Sequence, residues 1–256
     1  MRSVSPFHSL WSYGMFTPTL TAGSRGTSLE ESSSRISAVR LVIIEANRAK
    51  AELWEYYCLT NWGFDVVACC HSGTEGVESA DRFKPELVFA GLQPADLGLL
   101  EYINGLRAAA PASKLILFST LCNEYLVHAV RPADYHGFVY EPDETLASLT
   151  NLIEKVRQGH RAVSASISRC QVQLRSAPTA FPKLLSSRHE EVLICIAHSM
   201  TDEEIAEQLG VSTATALSHR QKIMKKLNVH STPKLIRYCT EKGFNSMPPP
   251  LRVAAL

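Results

Sequence analysis

The chain has 256 residues, 45% hydrophobic and 20% charged, with 26 Lys+Arg against 25 Asp+Glu and a formal net charge of +1. That apolar content excludes a fully disordered chain, the length suits one or two domains of about 100–200 residues each, and no apolar run reaches the ~20 residues that cross a bilayer. Seven cysteines, an odd set without C-x-x-C spacing, argue against a disulfide framework or a zinc module and point to a reducing, cytoplasmic setting.

Residues 1–38 hold ten serines and no sustained periodicity. They lack the basic start and apolar stretch of a secretory signal, so they read as a disordered tail, with Met15 as an alternative start. From 39 to 160 the pattern changes. Short apolar runs at 41–44, 64–68, 87–90, 115–118 and 138–140 alternate with segments of helical period at 48–60, 74–83, 97–109, 124–131 and 144–157. Near-continuous hydrophobic strands suit a parallel sheet covered on both faces, and five such units predict a doubly wound α/β domain. Cys69 and Cys70 close the second strand and read as packing residues rather than a redox pair. Trp54 and Tyr57, three apart in the first helix, read as core. Residues 161–183 lose the rhythm and carry Ser, Ala and two prolines, the marks of a linker with at most a short helix. Residues 184–244 are predicted all helical, over 186–199, 201–209, 213–227 and 232–242, before a tail at 245–256.

The charge is unevenly spread. Between residues 40 and 157 there are 16 acidic against 10 basic residues, whereas 208–240 has no acid and six cations. A basic patch of this kind suggests a polyanion partner or a solvated helix face. The segment from Thr201 to Leu227 decides between them. Thr201 with Glu204 makes a capping box, Ile205 and Leu209 give a short apolar face, Gly210 supplies a tight turn, and Ser212 caps the next helix. Helix, glycine turn, helix is the geometry of a helix-turn-helix, whose second helix enters the major groove of double-stranded DNA. That helix opens on Thr213, Thr215 and Ser218, small groups that approach a phosphate or a base edge, and closes on His219, Arg220, Gln221, Lys222, Lys225 and Lys226.

Residues 184–244 resemble the four-helix LuxR-type DNA-binding domain of FixJ/NarL response regulators. The resemblance is carried by Glu191-Val192-Leu193, Glu204-Ile205-Ala206, Leu209-Gly210-Val211-Ser212, Thr215, His219, Lys225 and Leu227. It implies DNA contacts from Thr213, Thr215, Leu217, Ser218, His219, Arg220, Gln221, Lys222, Lys225 and Lys226. Readout would fall on Thr213, Ala214, Leu217, Ser218 and Gln221, with Arg220 and Lys225 on the backbone. It also implies a homodimer paired through the last helix, Pro233 to Lys242, with Leu235, Ile236 and Tyr238 as the apolar candidates. The family has Val-Lys after the Thr that matches Thr215, and this chain has Ala216-Leu217, so one expected DNA contact is lost.

With that output domain, the five βα units resemble a receiver. The resemblance implies an acidic pair after the first strand for Mg²⁺, an Asp ending the third strand as phosphoacceptor, a Ser/Thr ending the fourth and a Lys ending the fifth. At these places the chain has Glu45-Ala46, Gly91, Ser119 and Glu141. Glycine offers no nucleophile, and a carboxylate at 141 would repel a phosphoryl group. Asp96, five residues beyond the third strand, is the alternative acceptor, set against a role as N-cap of the next helix. The reading is a degenerate receiver without catalytic group, metal or cofactor, joined to a DNA-binding domain and controlled without phosphorylation. A regulatory protein or small ligand at the receiver is left open, and dimerisation through the receiver is expected to be constitutive. The rivals are a protein-interaction regulator with weakened DNA binding that pairs with another regulator, and a true phosphotransfer switch. No ligand-spaced histidines and no Walker, G-x-G-x-x-G or G-x-S-x-G sequence supports an enzyme.

Overall fold

Strands with unbroken apolar runs need cover on both faces, and the two sets of side chains part accordingly. In β1 (Arg40–Ile44), Leu41 and Ile43 enter one layer, with α1 (Arg48–Asn61) and α5 (Leu146–Arg157). Val42 and Ile44 enter the other, with α2 (Gly73–Phe83) and α3 (Leu99–Ala109). β3 (Leu87–Gly91) and β4 (Lys114–Ser119) alternate in the same way: Leu87, Phe89, Ile116 and Phe118 join the first layer, and Val88, Ala90, Leu115 and Leu117 the second. Trp54 packs into the first layer, its ring 5.1 Å from Phe118, as the core reading expects. This is the expected doubly wound α/β domain.

The computed structural model describes residues 38–93 and 96–250. The tail expected over 1–38 lies, but for its last residue, outside the described residues, as do 251–256. Together with β2 (Asp65–Cys70), β5 (Gly137–Tyr140) and a short β6 (Ala162–Val163), the strands form one parallel sheet in the order β2-β1-β3-β4-β5-β6. The order reverses between β1 and β3, so a crevice opens at their carboxyl ends. The seven cysteines are free thiols, and Cys70 is buried at the end of β2. Among the described residues no helix is long and apolar enough to cross a membrane.

The stretch expected as a linker is instead built into the first half. After β6 comes α6 (Ala165–Ser176), whose Ile167 is fully buried, with Cys170 and Leu174 packed beside it against the sheet layer. These three recur at helical spacing, which is what holds an otherwise Ser- and Gln-rich helix in place.

The second half has a separate apolar core among α7 (Phe181–Leu184), α8 (Ser187–Ala197), α9 (Asp202–Leu209), α10 (Thr213–Lys226) and α11 (Thr232–Lys242). Leu193, Ile205, Ala216, Ile223 and Leu235 are fully buried in it. Leu235 therefore fills this core and is not available to a partner; the residues that α11 exposes are Thr232, Pro233, Lys234, Arg237, Thr240 and Glu241.

One helix of the first half is gripped by the second. From α4 (Glu124–Ala129), Tyr125 stacks 4.5 Å from Phe244 and 6.2 Å from Phe181. His128 Nε2 lies 3.3 Å from a Glu190 carboxylate oxygen, Glu124 accepts from Lys242 Nζ, and Asn123 Nδ2 donates to Ser246 Oγ at 3.2 Å. Gly243, at φ +86°, ends α11 against Asn123, where any Cβ would collide with the amide. The expected tail is packed as far as it is described: Met247 O accepts from His198 Nε2 at 2.7 Å, and Pro250 O accepts from Gln208.

Candidate functional site

Two places carry the residues singled out in the sequence, and the first is α10. Its lead-in forms as expected. Thr201 Oγ1 accepts from Glu204 N at 3.2 Å while Glu204 Oε2 accepts from Thr201 N at 2.7 Å, which closes the capping box. Gly210 takes the left-handed conformation at φ 65°, its N–H on Ala206 O, and turns the chain; Ser212 Oγ then accepts from Thr215 N at 3.2 Å and starts α10. Ala216 and Ile223 are buried on the inner face, against α8 and α9.

The outward face carries Ala214, Leu217, Gln221 and Lys225 at helical spacing, with Thr213, Thr215 and Lys222 beside them, all exposed, and Ser218 half-buried. Lys222 and Lys225 have no hydrogen-bond or ion-pair partner among the described residues. Three predicted contacts are drawn elsewhere. Arg220 Nε donates to Asp202 Oδ1 at 2.7 Å and a terminal nitrogen to Met200 O at 3.3 Å, and the side chain is only 11% exposed. It braces α10 on α9, because its position on the helix turns it inward, away from Lys225. His219 is half-buried, its ring 5.5 Å from that of His189 and its Nδ1 enclosed without a partner among the described residues. Lys226 Nζ donates to Leu184 O at 2.8 Å, at the end of α7. No hydrogen bond, ion pair or ring contact joins α10 to the first half among the described residues.

The second place is the crevice at the strand ends, a cavity of about 250 Å³. Glu45, Gly91, Ser119 and Glu141 all line it. Sequence reasoning missed the side chain at its centre. Lys50, in the first turn of α1, lies 2.7 Å from Glu45 Oε2 and 2.6 Å from Glu141 Oε1. Burial pulls its pKa down, but hydrogen bonds to Glu141 and Glu45 outweigh that and hold it above the ordinary lysine value. A Cβ on Gly91 would come 3.1 Å from Ile44 O and 3.3 Å from Glu45 Oε2, so the position is tight as well as empty of chemistry. Ser119 is committed to the following loop: Oγ donates to Leu121 O at 2.9 Å and accepts from Leu121 N at 3.0 Å.

The Mg²⁺ that the receiver resemblance implies does not suit this donor set. Its two carboxylates already share an ammonium, Ala46 offers no side-chain oxygen, and no group of three His, Cys, Asp or Glu side chains that could hold a metal occurs among the described residues. Asp96 is not in the crevice lining. Its carboxylate accepts from Gly73 N at 2.7 Å and Thr74 N at 2.9 Å, so it caps α2 rather than α3, whose N-cap is Gly98. The hydrogen bond from the Thr74 amide, with that from Gly73, pulls its pKa down to about 2.

Comparison with known proteins agrees with this architecture. Residues 183–239 match the family of bacterial regulatory proteins, luxR family. The chain is 30% identical over 191 residues to the oxygen regulatory protein NreC of Staphylococcus aureus, covering 70% of this chain and 86% of that protein. It is 29% identical over 171 residues to a nitrate/nitrite response regulator protein homolog of Haemophilus influenzae, covering 66% and 80%. Its fold is similar to RcsB from Salmonella enterica serovar Typhimurium bound to promoter rprA, with a TM-score of 0.56 at 20% identity, covering 79% of this chain and 98% of that one. A complex of the two-component response regulator RcsB with DNA gives a TM-score of 0.54 at 20% identity, covering 80% and 98%.

Proposed function

We infer, for a chain that belongs to the luxR-type response regulators, that it regulates transcription by binding double-stranded DNA as a homodimer, from the cytoplasm and without phosphorylation or enzymatic chemistry of its own. The observation that carries the DNA reading is the outward face of α10: small and amide side chains flanked by two unpartnered lysines. Lys222 and Lys225 would meet phosphates, while Thr213, Ala214, Leu217, Ser218 and Gln221 would face the base edges. Lysine–phosphate contacts make affinity fall with salt by about 0.9 in log–log slope per contact.

Independence from phosphorylation is supported by Gly91 at the end of β3 and by Lys50 in the crevice. A phosphoryl group needs a carboxylate nucleophile and a cation to draw its charge, and Lys50 is already held by two acids. The exposed Leu217 on the outward face favours a second reading, in which DNA binding is weak and the chain works by pairing with another regulator.

Mapping the DNA bound by the intact chain across a genome, then titrating the recovered fragments from about 50 to 200 mM salt, tests the first reading: binding should fall steeply, and a flat response would overturn it. Incubation with acetyl phosphate and Mg²⁺ should leave the chain unlabelled and its DNA affinity unchanged. A stable acyl phosphate, lost in Asp96→Ala, would restore the phosphotransfer rival.

A further inference from the structure

A second cavity, of about 660 Å³, shares no lining residue with α10 or the crevice and lies where α4, α6 and α7 converge. Four cations line it: Arg131, Arg161, Arg175 and Lys183. Among the described residues no carboxylate does. None of the four is in an ion pair among the described residues. Arg175 Nε donates only to Gln171 O at 3.2 Å, and Lys183 Nζ only to the carbonyls of Arg175 and Ala177 at 2.6 and 2.8 Å. Arg161 lies over the Tyr135 ring at 4.0 Å, and the Arg131 side chain has no hydrogen-bond partner among the described residues.

Four like charges in one concavity repel one another, and low-dielectric walls focus their field. The floor is different in kind: Val127, Val163, Leu174 and Pro182 are apolar. The volume lies within the 300–1,000 Å³ typical of small-molecule sites, far more than a single inorganic anion fills.

We propose that this cavity binds an organic phosphate with two or more phosphate groups, of nucleotide size, the phosphates on Arg131, Arg161, Arg175 and Lys183 and the organic body on the apolar floor. Guanidinium groups bind phosphate oxygens in bidentate pairs, and four cations without an acidic partner match the several negative charges of linked phosphates better than the single charge of a carboxylate or chloride. The site would also be a point of control. α4 supplies Val127 and His128 to the cavity, and Tyr125 and His128 of the same helix hold the second half. A ligand that ties α4 to α6 and α7 acts on DNA binding to the extent that it favours one arrangement of the two halves over another. This regulatory part rests on the reading above, in which phosphorylation no longer sets the state; the binding site itself does not.

The test uses the full chain, with ATP, inorganic tripolyphosphate and adenosine as probes at fixed ionic strength. Binding is followed by calorimetry and by the rise in melting temperature that a ligand of the folded state produces. ATP should bind and stabilise, tripolyphosphate should bind more weakly, and adenosine should do neither. Arg131→Gln/Arg175→Gln should weaken ATP by about tenfold or more, since it removes two sets of charge-assisted hydrogen bonds to the phosphates. Lys222→Gln/Lys225→Gln, on α10, should leave it unchanged. Should the arginine pair disturb the fold, Lys183→Gln alone must still weaken ATP. No binding of ATP or tripolyphosphate, binding that survives the cavity substitutions, or loss of binding only in the α10 variant would each overturn the proposal. So would cavity variants that weaken DNA while leaving ATP intact, which would mark the groove as a track for a DNA backbone. Failure of DNA binding in the unaltered chain would strike the function above and leave the ATP result standing.

Discussion

The ammonium of Lys50 lies 2.6 Å from a carboxylate oxygen of Glu141, joining the first turn of α1 to the end of β5 across 91 residues of sequence. Glu45, on the other side, is 2.7 Å away, so one cation serves two acids that would otherwise repel. Lys50→Met leaves both carboxylates facing each other in a partly buried crevice. It should lower stability by about 1–3 kcal/mol in urea unfolding, below a fully buried pair because water still reaches the site. The pKa of Lys50 is raised on folding, so its contribution is complete below the ordinary value of 10.5 and is lost only as pH climbs beyond that. The wild-type advantage over Lys50→Met should therefore be constant from pH 6 to 9, roughly the range in which lysine stays charged.

Asp96 behaves in the opposite sense. Its pKa falls from 3.8 to about 2 on folding, so its stabilisation is present above the unfolded value and disappears as pH falls through the folded one. Asp96→Asn should reduce stability at neutral pH by about 0.5 kcal/mol, the lower range for an exposed anion at a helix N-terminus. The difference should shrink between about pH 4 and pH 2. A gap that stays constant down to pH 2 in paired melting curves would disprove the charge-based account.

Arg220 and Lys225 look alike in the sequence and should part in experiment. Arg220→Ala removes the bond to Asp202 and should lower the stability of the helical half by about 1–3 kcal/mol without changing the salt slope of DNA binding. Lys225→Ala should leave the melting temperature alone and reduce that slope by about 0.9. Denaturation and salt-titrated gel shifts on the two variants give the comparison directly.

Phe244 is fully buried between Tyr125 and Phe181. Truncation to Ala leaves a cavity at the junction and should remove about 3–5 kcal/mol. Because the lost contacts link the halves, scanning calorimetry should also show a single unfolding transition resolving into two. A lowered but still single transition would mean that the polar contacts of α4, with Glu190 and Lys242, suffice for coupling.

Much of this was legible because it depends on local order. The apolar strands, the Thr201–Glu204 box, the Gly210 turn and the glycine that ends the third strand are all written within a few residues. Lys50 was not, since nothing near residue 50 announces a carboxylate at 141. Arg220 was misassigned because a run of cations does not say which of them the helix turns inward. The α6 stretch passed for a linker because its polar residues hid the apolar positions 167, 170 and 174. Asp96 was recognised as a cap but given to the wrong helix, its true partner being the amides at 73 and 74, more than twenty residues earlier.

The aromatic grip of α4 on the second half bears on operator architecture. Because α10 makes no hydrogen bond, ion pair or ring contact with the first half among the described residues, nothing of that kind has to be released before it can reach a groove. What the grip sets is distance: in a dimer joined through the first halves, two recognition helices would be held like the points of a caliper. Such a protein would discriminate between operators by the length of their spacer as much as by their half-site bases, and tolerance to spacer length would widen when Tyr125, Phe181 or Phe244 is cut back.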